Sequence, residues 1–283
     1  MDDDQRVEGL ISAFRRDGVC TVAPFLDGAE VAALRAAVER LYAGEIDGDG
    51  WYAMGPPLGL RDEGAVKTLM FGWWVSDAVR ALVHHPAITS VAAALLGTDR
   101  VRVWQDQVIW KPPARDDADV AGNIGWHQDY GYWQDSSSPE MLTANVVLQD
   151  NVERNGAMRV VPGSHHLGLI GDGGSFFDTD LDGVRARLAA EAGRDLSPRL
   201  VEVRAGGASF HHSLLLHGSG PNGSTSPRLA IAIGYVPDGT SFRRHPGRRT
   251  PHTLFLGPRP RPGTAYADPA FPLVWDGGPV PVR

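Results

Sequence analysis

The sequence predicts a mainly β chain, a sandwich or barrel of short strands with α-helices flanking it. Three observations carry that expectation. From residue 101 six short apolar segments follow one another, separated by Gly, Pro, Asn and Ser. The first hundred residues are instead patterned at helical spacing. No repeat and no linker interrupts the chain. The expectation is therefore one domain over residues 1–283: helical to about 100, a β core over about 101–237 and a Pro/Gly-rich extension over about 238–283.

In DGAEVAALRAAVERL, Asp27 caps a helix start and Glu30, three residues on, completes a capping box. Val31, Leu34, Val38 and Leu41 then share one face. A second helical stretch, ITSVAAALLG, stops at Gly97. The period changes in VRVWQDQVIWK, a strand placing Val101, Val103, Gln105, Gln107 and Ile109 on one face. TANVVLQD, GAMRVVPG, RLVEVRAG, ASFHHSLLLH and RLAIAIGYV are the further strands, and DGVRARLAAEAG is a helical interlude. From Pro246 the composition fits an ordered wrap and a mobile tail equally well.

Hydrophobic residues make up 42% and charged residues 22%, an ordinary globular composition. A net charge of −7 argues against nucleic-acid and anionic-membrane binding. Lysine is confined to Lys67 and Lys111, and a single cysteine, Cys20, permits no internal disulfide. The start, MDDDQRVEGL, lacks an apolar signal core, and no stretch reads as a bilayer-spanning helix. A cytoplasmic protein, monomer or homodimer, is expected.

Chemistry concentrates at three places. In WHQDYGYW, strand alternation projects His127 and Asp129 side by side, a clamp suited to a first-row divalent metal. Alone, such a triplet is weak evidence. In SLLLHGSGPN, His217 ends an apolar run, where a polar ring must find a partner. Two histidines and one carboxylate form the facial triad of non-haem Fe(II) oxygenases. Third, Arg228 starts RLAIAIGY with only Ala230, Ala232 and Gly234 beyond it on its face. That leaves space beside a planar fork suited to a carboxylate. An exposed edge-strand arginine is the plainer alternative for Arg228 taken alone.

HQD, NGAMRVVPGSH and HGSGPNGSTSPR, in that order, resemble the phytanoyl-CoA dioxygenase family of Fe(II)/2-oxoglutarate oxygenases, as does FRRDGVCTVAPFLDGAEVAALRAAVERL. The likeness covers about residues 10–237. It implies a double-stranded β-helix, or jelly roll, flanked by helices, with His127, Asp129 and His217 binding iron and Arg228 binding the distal carboxylate of 2-oxoglutarate. It further implies a co-substrate contact from Ser219, from Gln105 or Gln107, and from Asn145, and an aromatic near the iron in Trp133. The implied reaction uses O2, oxidises a C–H bond of a small metabolite and releases succinate and CO2. Halogenases of this kind carry a small residue where Asp129 stands, so the carboxylate argues for hydroxylation. Desaturation, epoxidation, ring formation and epimerisation start from the same oxidant.

Other histidines read as non-ligands: His165 and His166 follow a VPGS turn, and His84 and His85 mark a helix end. Of His211 and His212, one is expected to face inward. His245 and His252 either line a substrate pocket or are exposed. Candidates for substrate contact are Trp51, Tyr52, Met54, Phe71, Trp73 and Trp74, in an aromatic, Gly/Pro-rich stretch, and Phe242, Arg243 and Arg244 after the last core strand. Core packing explains most of the aromatics equally well. Two other classes compete: a non-catalytic jelly-roll binding protein, which would release no succinate, and a cupin-like metal hydrolase, which would need no O2 and leave Arg228 without a purpose.

Overall fold

The computed structural model describes residues 3–47, 65–116, 120–246 and 250–277. In chain order it forms α1 (Asp3–Asp17), β1 (Val19–Val22), α2 (Gly28–Tyr42), β2 (Lys67–Met70), α3 (Asp77–Val83), α4 (Pro86–Leu96), β3 (Arg100–Lys111) and β4 (Ile124–His127). There follow β5 (Leu142–Val147), β6 (Arg159–Val160), α5 (Leu181–Ala192), β7 (Arg199–Leu200), β8 (Ala208–His212), β9 (His217–Ser219), β10 (Arg228–Pro237) and β11 (Leu273–Asp276). One sheet runs β1-β8-β5-β10-β3-β11, with β2 also on β3; the other runs β4-β9-β6-β7. All pairings are antiparallel, and the two sheets form a jelly roll with flanking helices.

The helix signals act as expected. Asp27 accepts from Ala29 N and Glu30 N, and Glu30 returns a bond to the Asp27 N–H. Gly97 ends α4 in the left-handed region, at φ 64°. Helices α1 to α4 cover the outer face of the larger sheet. There Leu34, Val38, Val79, Val83 and Ile88 meet Val108, Val146, Leu229, Ile231 and Tyr235 in the main core. Helix α5 packs on the smaller sheet through Val184 and Leu188, against Trp126 and Leu216.

Four expectations need correcting. The face assigned to β3 does not run unbroken: Gly234 pairs with Gln105 but Tyr235 with Val103, leaving Trp104 as an extra residue in a bulge. Val101 and Val103 therefore point into the helix-side core, while Gln105, Gln107 and Ile109 face inward. Second, ASFHHSLLLH is not one strand. β8 ends at His212, Ser213–Leu216 crosses between the sheets, and β9 begins at His217. Third, the short strands β1 and β2 lie within the region read as helical; four residues are too few to declare a period. Fourth, Asp77–Leu96 does reach the length and apolarity of a membrane span. It is broken at His84 and His85 into α3 and α4, whose apolar residues lie largely in the core.

The C-terminal stretch is an ordered wrap over residues 250–277. β11 extends the sheet beside Arg100–Arg102, and Arg102 donates to the Asp268 carboxylate and to Phe271 O, both at 2.8 Å. Tyr266, Phe271 and His252 surround Trp104, whose ring stacks on His252 at 4.1 Å. His252 is thus a core residue, buried and pushed down to about 3 by that burial, neither exposed nor in the pocket wall described below.

Candidate active site

β4 and β9 pair so that His127 lies opposite His217, and their rings stand 4.1 Å apart. The strand ends at His127. Asp129 belongs to a single turn of 3₁₀ helix, Asp129–Gly131, so the turn, rather than strand alternation, brings its carboxylate back beside the imidazole. Asp129 Oδ1 is 3.5 Å from His127 Nε2 and 3.8 Å from His217 Nε2. Donor atoms of all three residues lie within 4.8 Å of one another.

The surroundings fix how these groups present themselves. His127 Nδ1 bonds Gly125 O at 2.7 Å and His217 Nδ1 bonds Leu215 O at 3.0 Å. A carbonyl only accepts, so each Nδ1 carries the proton and each Nε2 keeps a lone pair for a metal. Burial, with His127 and His211 nearby, holds His217 well below the ordinary imidazole range, in its ligand form. Burial raises the Asp129 carboxyl, but the imidazoles of His217, His127 and His211 outweigh it and keep the group well below the usual range. Its second oxygen accepts from Thr143 Oγ1 at 2.7 Å and lies 3.2 Å from His211 Nε2. That leaves Oδ1 for a metal. Two imidazole nitrogens and one carboxylate suit Fe(II).

The trio opens into a cavity floored by the inner face of the larger sheet. Gln105, Gln107, Thr143, Asn145, Ala232 and Gly234 line it beside Ser219 and Arg228, with Trp133, Met158 and Phe176 as walls. Cross-strand register produces the floor: Asn145 pairs with Ala232 and Ala232 with Gln107; Thr143 pairs with Gly234 and Gly234 with Gln105. Arg228 is 4% exposed, and burial pushes it down to about 10, still cationic at neutral pH. Its Nη1 donates to Gly156 O at 2.6 Å, whereas its Nε has no partner. Gln105 Oε1 and His211 Nδ1 are also buried without partners. Unpaired buried polar atoms around one cavity are what a polar ligand would satisfy.

Not every sequence candidate meets here. Trp51, Tyr52 and Met54 lie outside the described residues. Trp73 and Trp74 form a 3₁₀ turn against the helices and Phe255, away from the cavity lining, and Phe71 packs on Phe255 and His252. Phe242 is buried in the cluster around Trp104, and Arg243 binds Tyr130 Oη and Gln134 O, both at 3.2 Å. Ala230 is buried but does not line the cavity. His85 caps α4, His212 turns toward Glu140, and His165 and His166 sit in a 3₁₀ turn. Sequence reasoning missed Thr143, Met158 and Phe176 and left His211 undecided; the Phe176 ring stands 5.4 Å from that of His127. Alternation from Asn145 would have found Thr143.

The comparisons agree with this geometry. The family model "Phytanoyl-CoA dioxygenase (PhyH)" matches residues 14–230. L-proline trans-4-hydroxylase of Streptomyces griseoviridis is 27% identical over 238 residues, covering 78% of this chain and 83% of that one. The epimerase SnoN, solved with Fe3+, alpha ketoglutarate and nogalamycin RO, superposes with a TM-score of 0.71 at 26% identity, over 96% of this chain and 99% of SnoN. The carbocyclase SnoK from nogalamycin biosynthesis gives 0.70 at 26% identity, over 96% and 98%. With the matched region running from α1 to the start of β10 and containing His127, Asp129, His217 and Arg228, this chain belongs to the phytanoyl-CoA dioxygenase family of 2-oxoglutarate-dependent non-haem iron oxygenases.

Proposed function

We propose that the chain uses Fe(II), 2-oxoglutarate and O2 to hydroxylate a C–H bond of a small secondary-metabolite intermediate, releasing succinate and CO2. One observation carries the reading: His127, Asp129 and His217 face the same cavity as Arg228, whose buried Nε is unpaired. Iron held by the trio would supply the O2 chemistry, driven by decarboxylation of the 2-oxo acid. The protein's own groups bind and orient. Arg228 and Ser219 hold the distal carboxylate, Gln105, Gln107 and Asn145 flank the co-substrate, and Trp133 closes the wall.

The substrate reaches the iron from the side of Phe176. That ring also borders an outer cleft of about 830 Å³, lined by Arg115, Val120, Asn123, Phe177 and Thr179. Such a volume suits a ligand of drug size. Likeness to SnoN and SnoK over nearly the whole chain favours a second outcome from the same C–H abstraction, epimerisation or ring closure.

Anaerobic addition of Fe(II) and 2-oxoglutarate should give the weak visible charge-transfer band of the chelate. Absence of the band, with neither component bound, rejects the proposal. Candidate metabolites are then screened for succinate release. A product one oxygen heavier marks hydroxylation, an isomer of unchanged mass epimerisation, and loss of two hydrogens ring closure or desaturation.

A further inference from the structure

Lys111 ends β3 directly opposite Arg228, the first residue of β10. It is wholly buried, an unusual place for a lysine. Its Nζ donates to Ser219 Oγ and to Gly220 O, each at 2.6 Å. Neither Lys111 nor Arg228 forms an ion pair with a carboxylate among the described residues, so two buried basic groups lie side by side with no acidic partner. Burial, together with Arg228, drives the Lys111 ammonium well below the ordinary lysine range. A buried charge is tolerated when an opposite charge arrives to pair with it.

The bond to Ser219 has a directional consequence. In its ammonium form, which an anion in the cavity favours, Lys111 Nζ only donates; it then occupies a lone pair of Ser219 Oγ, and the hydroxyl proton must go elsewhere. Ser219 Oγ makes no other hydrogen bond among the described residues, and Ser219 lines the cavity beside Arg228. Its proton is therefore available to an acceptor in the cavity.

We propose that Lys111 is a positioning residue for the co-substrate: it turns the Ser219 hydroxyl toward the cavity and supplies a second positive charge at the Arg228 end, selecting 2-oxo acids that carry a distal carboxylate. This rests on the function proposed above. A purely structural alternative exists, because Lys111 also ties β3 to the loop after β9; Asn222 Nδ2 donates to Lys111 O at 3.2 Å.

The test compares 2-oxoglutarate with 2-oxobutanoate, which keeps the chelating end and lacks the distal carboxylate. Both are titrated anaerobically into the Fe(II)-loaded protein, read by the charge-transfer band, with thermal melting alongside. In Lys111→Met the preference for 2-oxoglutarate should fall by about tenfold or more, the scale of a charged hydrogen bond, with 2-oxobutanoate affinity kept. An unchanged preference, or equal weakening of both acids, overturns the assignment and leaves the proposed function standing. If the wild-type chain binds no 2-oxoglutarate, both fall. Should Lys111→Met fail to fold, Ser219→Ala serves: removing the hydroxyl must also reduce the preference, and an undiminished preference overturns the proposal.

Discussion

His127 and His217 are pinned in the same way: each bonds through Nδ1 to the backbone carbonyl two residues before it, and the two residues oppose each other on paired strands. Both Nε2 atoms are thereby preset as ligands. His127→Ala removes one of three donors. It should abolish the Fe(II)/2-oxoglutarate band and all succinate release. In the wild type, iron should raise the melting temperature, by about 2.7 kcal/mol of stability at a metal concentration 100 times Kd. A chelator should reverse that gain, and His127→Ala should show neither effect.

Arg228 is buried, cationic at neutral pH and has a donor to spare. Arg228→Ala should weaken 2-oxoglutarate binding by about 1.5–3 kcal/mol, measured by anaerobic titration. Iron binding should persist, because Arg228 takes no part in the trio.

Parts of this arrangement were legible in the sequence and others were not, for local reasons. Asp27, Glu30 and Gly97 act within one helical turn, so their signals survive without tertiary context. Alternation along β10 placed Arg228 on the face of Ala232 and Gly234, where the structure has it. Alternation failed along β3, because the Trp104 bulge inverts parity and nothing local announces it. His127 and Asp129 were grouped correctly by a wrong geometric argument, since a turn and not a strand joins them. Lys111 stands out in the sequence only as one of two lysines, although it shares the odd-numbered face of Gln105 and Gln107. Its significance depends on Arg228 lying opposite, a pairing between strands over a hundred residues apart.

Gly156 accepts the Arg228 bond and sits at φ 70°, where side chains are strained. A Cβ there would stand 2.6 Å from Pro221 O and 2.7 Å from Gly220 O, both backbone atoms. Gly156→Ala should therefore lower stability by about 1–3 kcal/mol in urea unfolding. By shifting the carbonyl that holds Arg228, it should also weaken 2-oxoglutarate binding, whereas a purely local effect would leave that affinity unchanged.

Asp106 is buried on the helix side of β3, where its carboxyl accepts from Gly72 N at 3.0 Å and Trp73 N at 3.1 Å. Burial outweighs these bonds and pushes it up to about 7. Between its ordinary value near 4 and 7, the folded protein binds more protons at this site than the unfolded chain does. Its contribution is thus fully present at low pH and is lost as pH rises toward 7. Urea unfolding should show a wild-type loss on the order of 2 kcal/mol from this group between pH 5 and pH 7.5. Asp106→Asn, less stable at pH 5 for want of one acceptor, should lack that component. Parallel pH profiles for the two proteins would refute the assignment.

Among the described residues, Phe176 is the one side chain bordering both the inner cavity and the outer cleft, and its ring meets that of His127 edge to face at 71°. If substrate enters across it, truncation should act on substrate and spare co-substrate. Phe176→Ala removes an aromatic wall, so substrate KM should rise about tenfold or more, given roughly 1.5–3 kcal/mol for a buried apolar side chain. Affinity for 2-oxoglutarate should change little, because the groups proposed to hold its distal end lie at Arg228. Succinate release without substrate oxidation should also increase as the target carbon becomes less well held against the iron. A variant whose 2-oxoglutarate affinity falls as far as its substrate affinity would instead place Phe176 in the support of His127, and the substrate path would have to be sought elsewhere on the cavity rim.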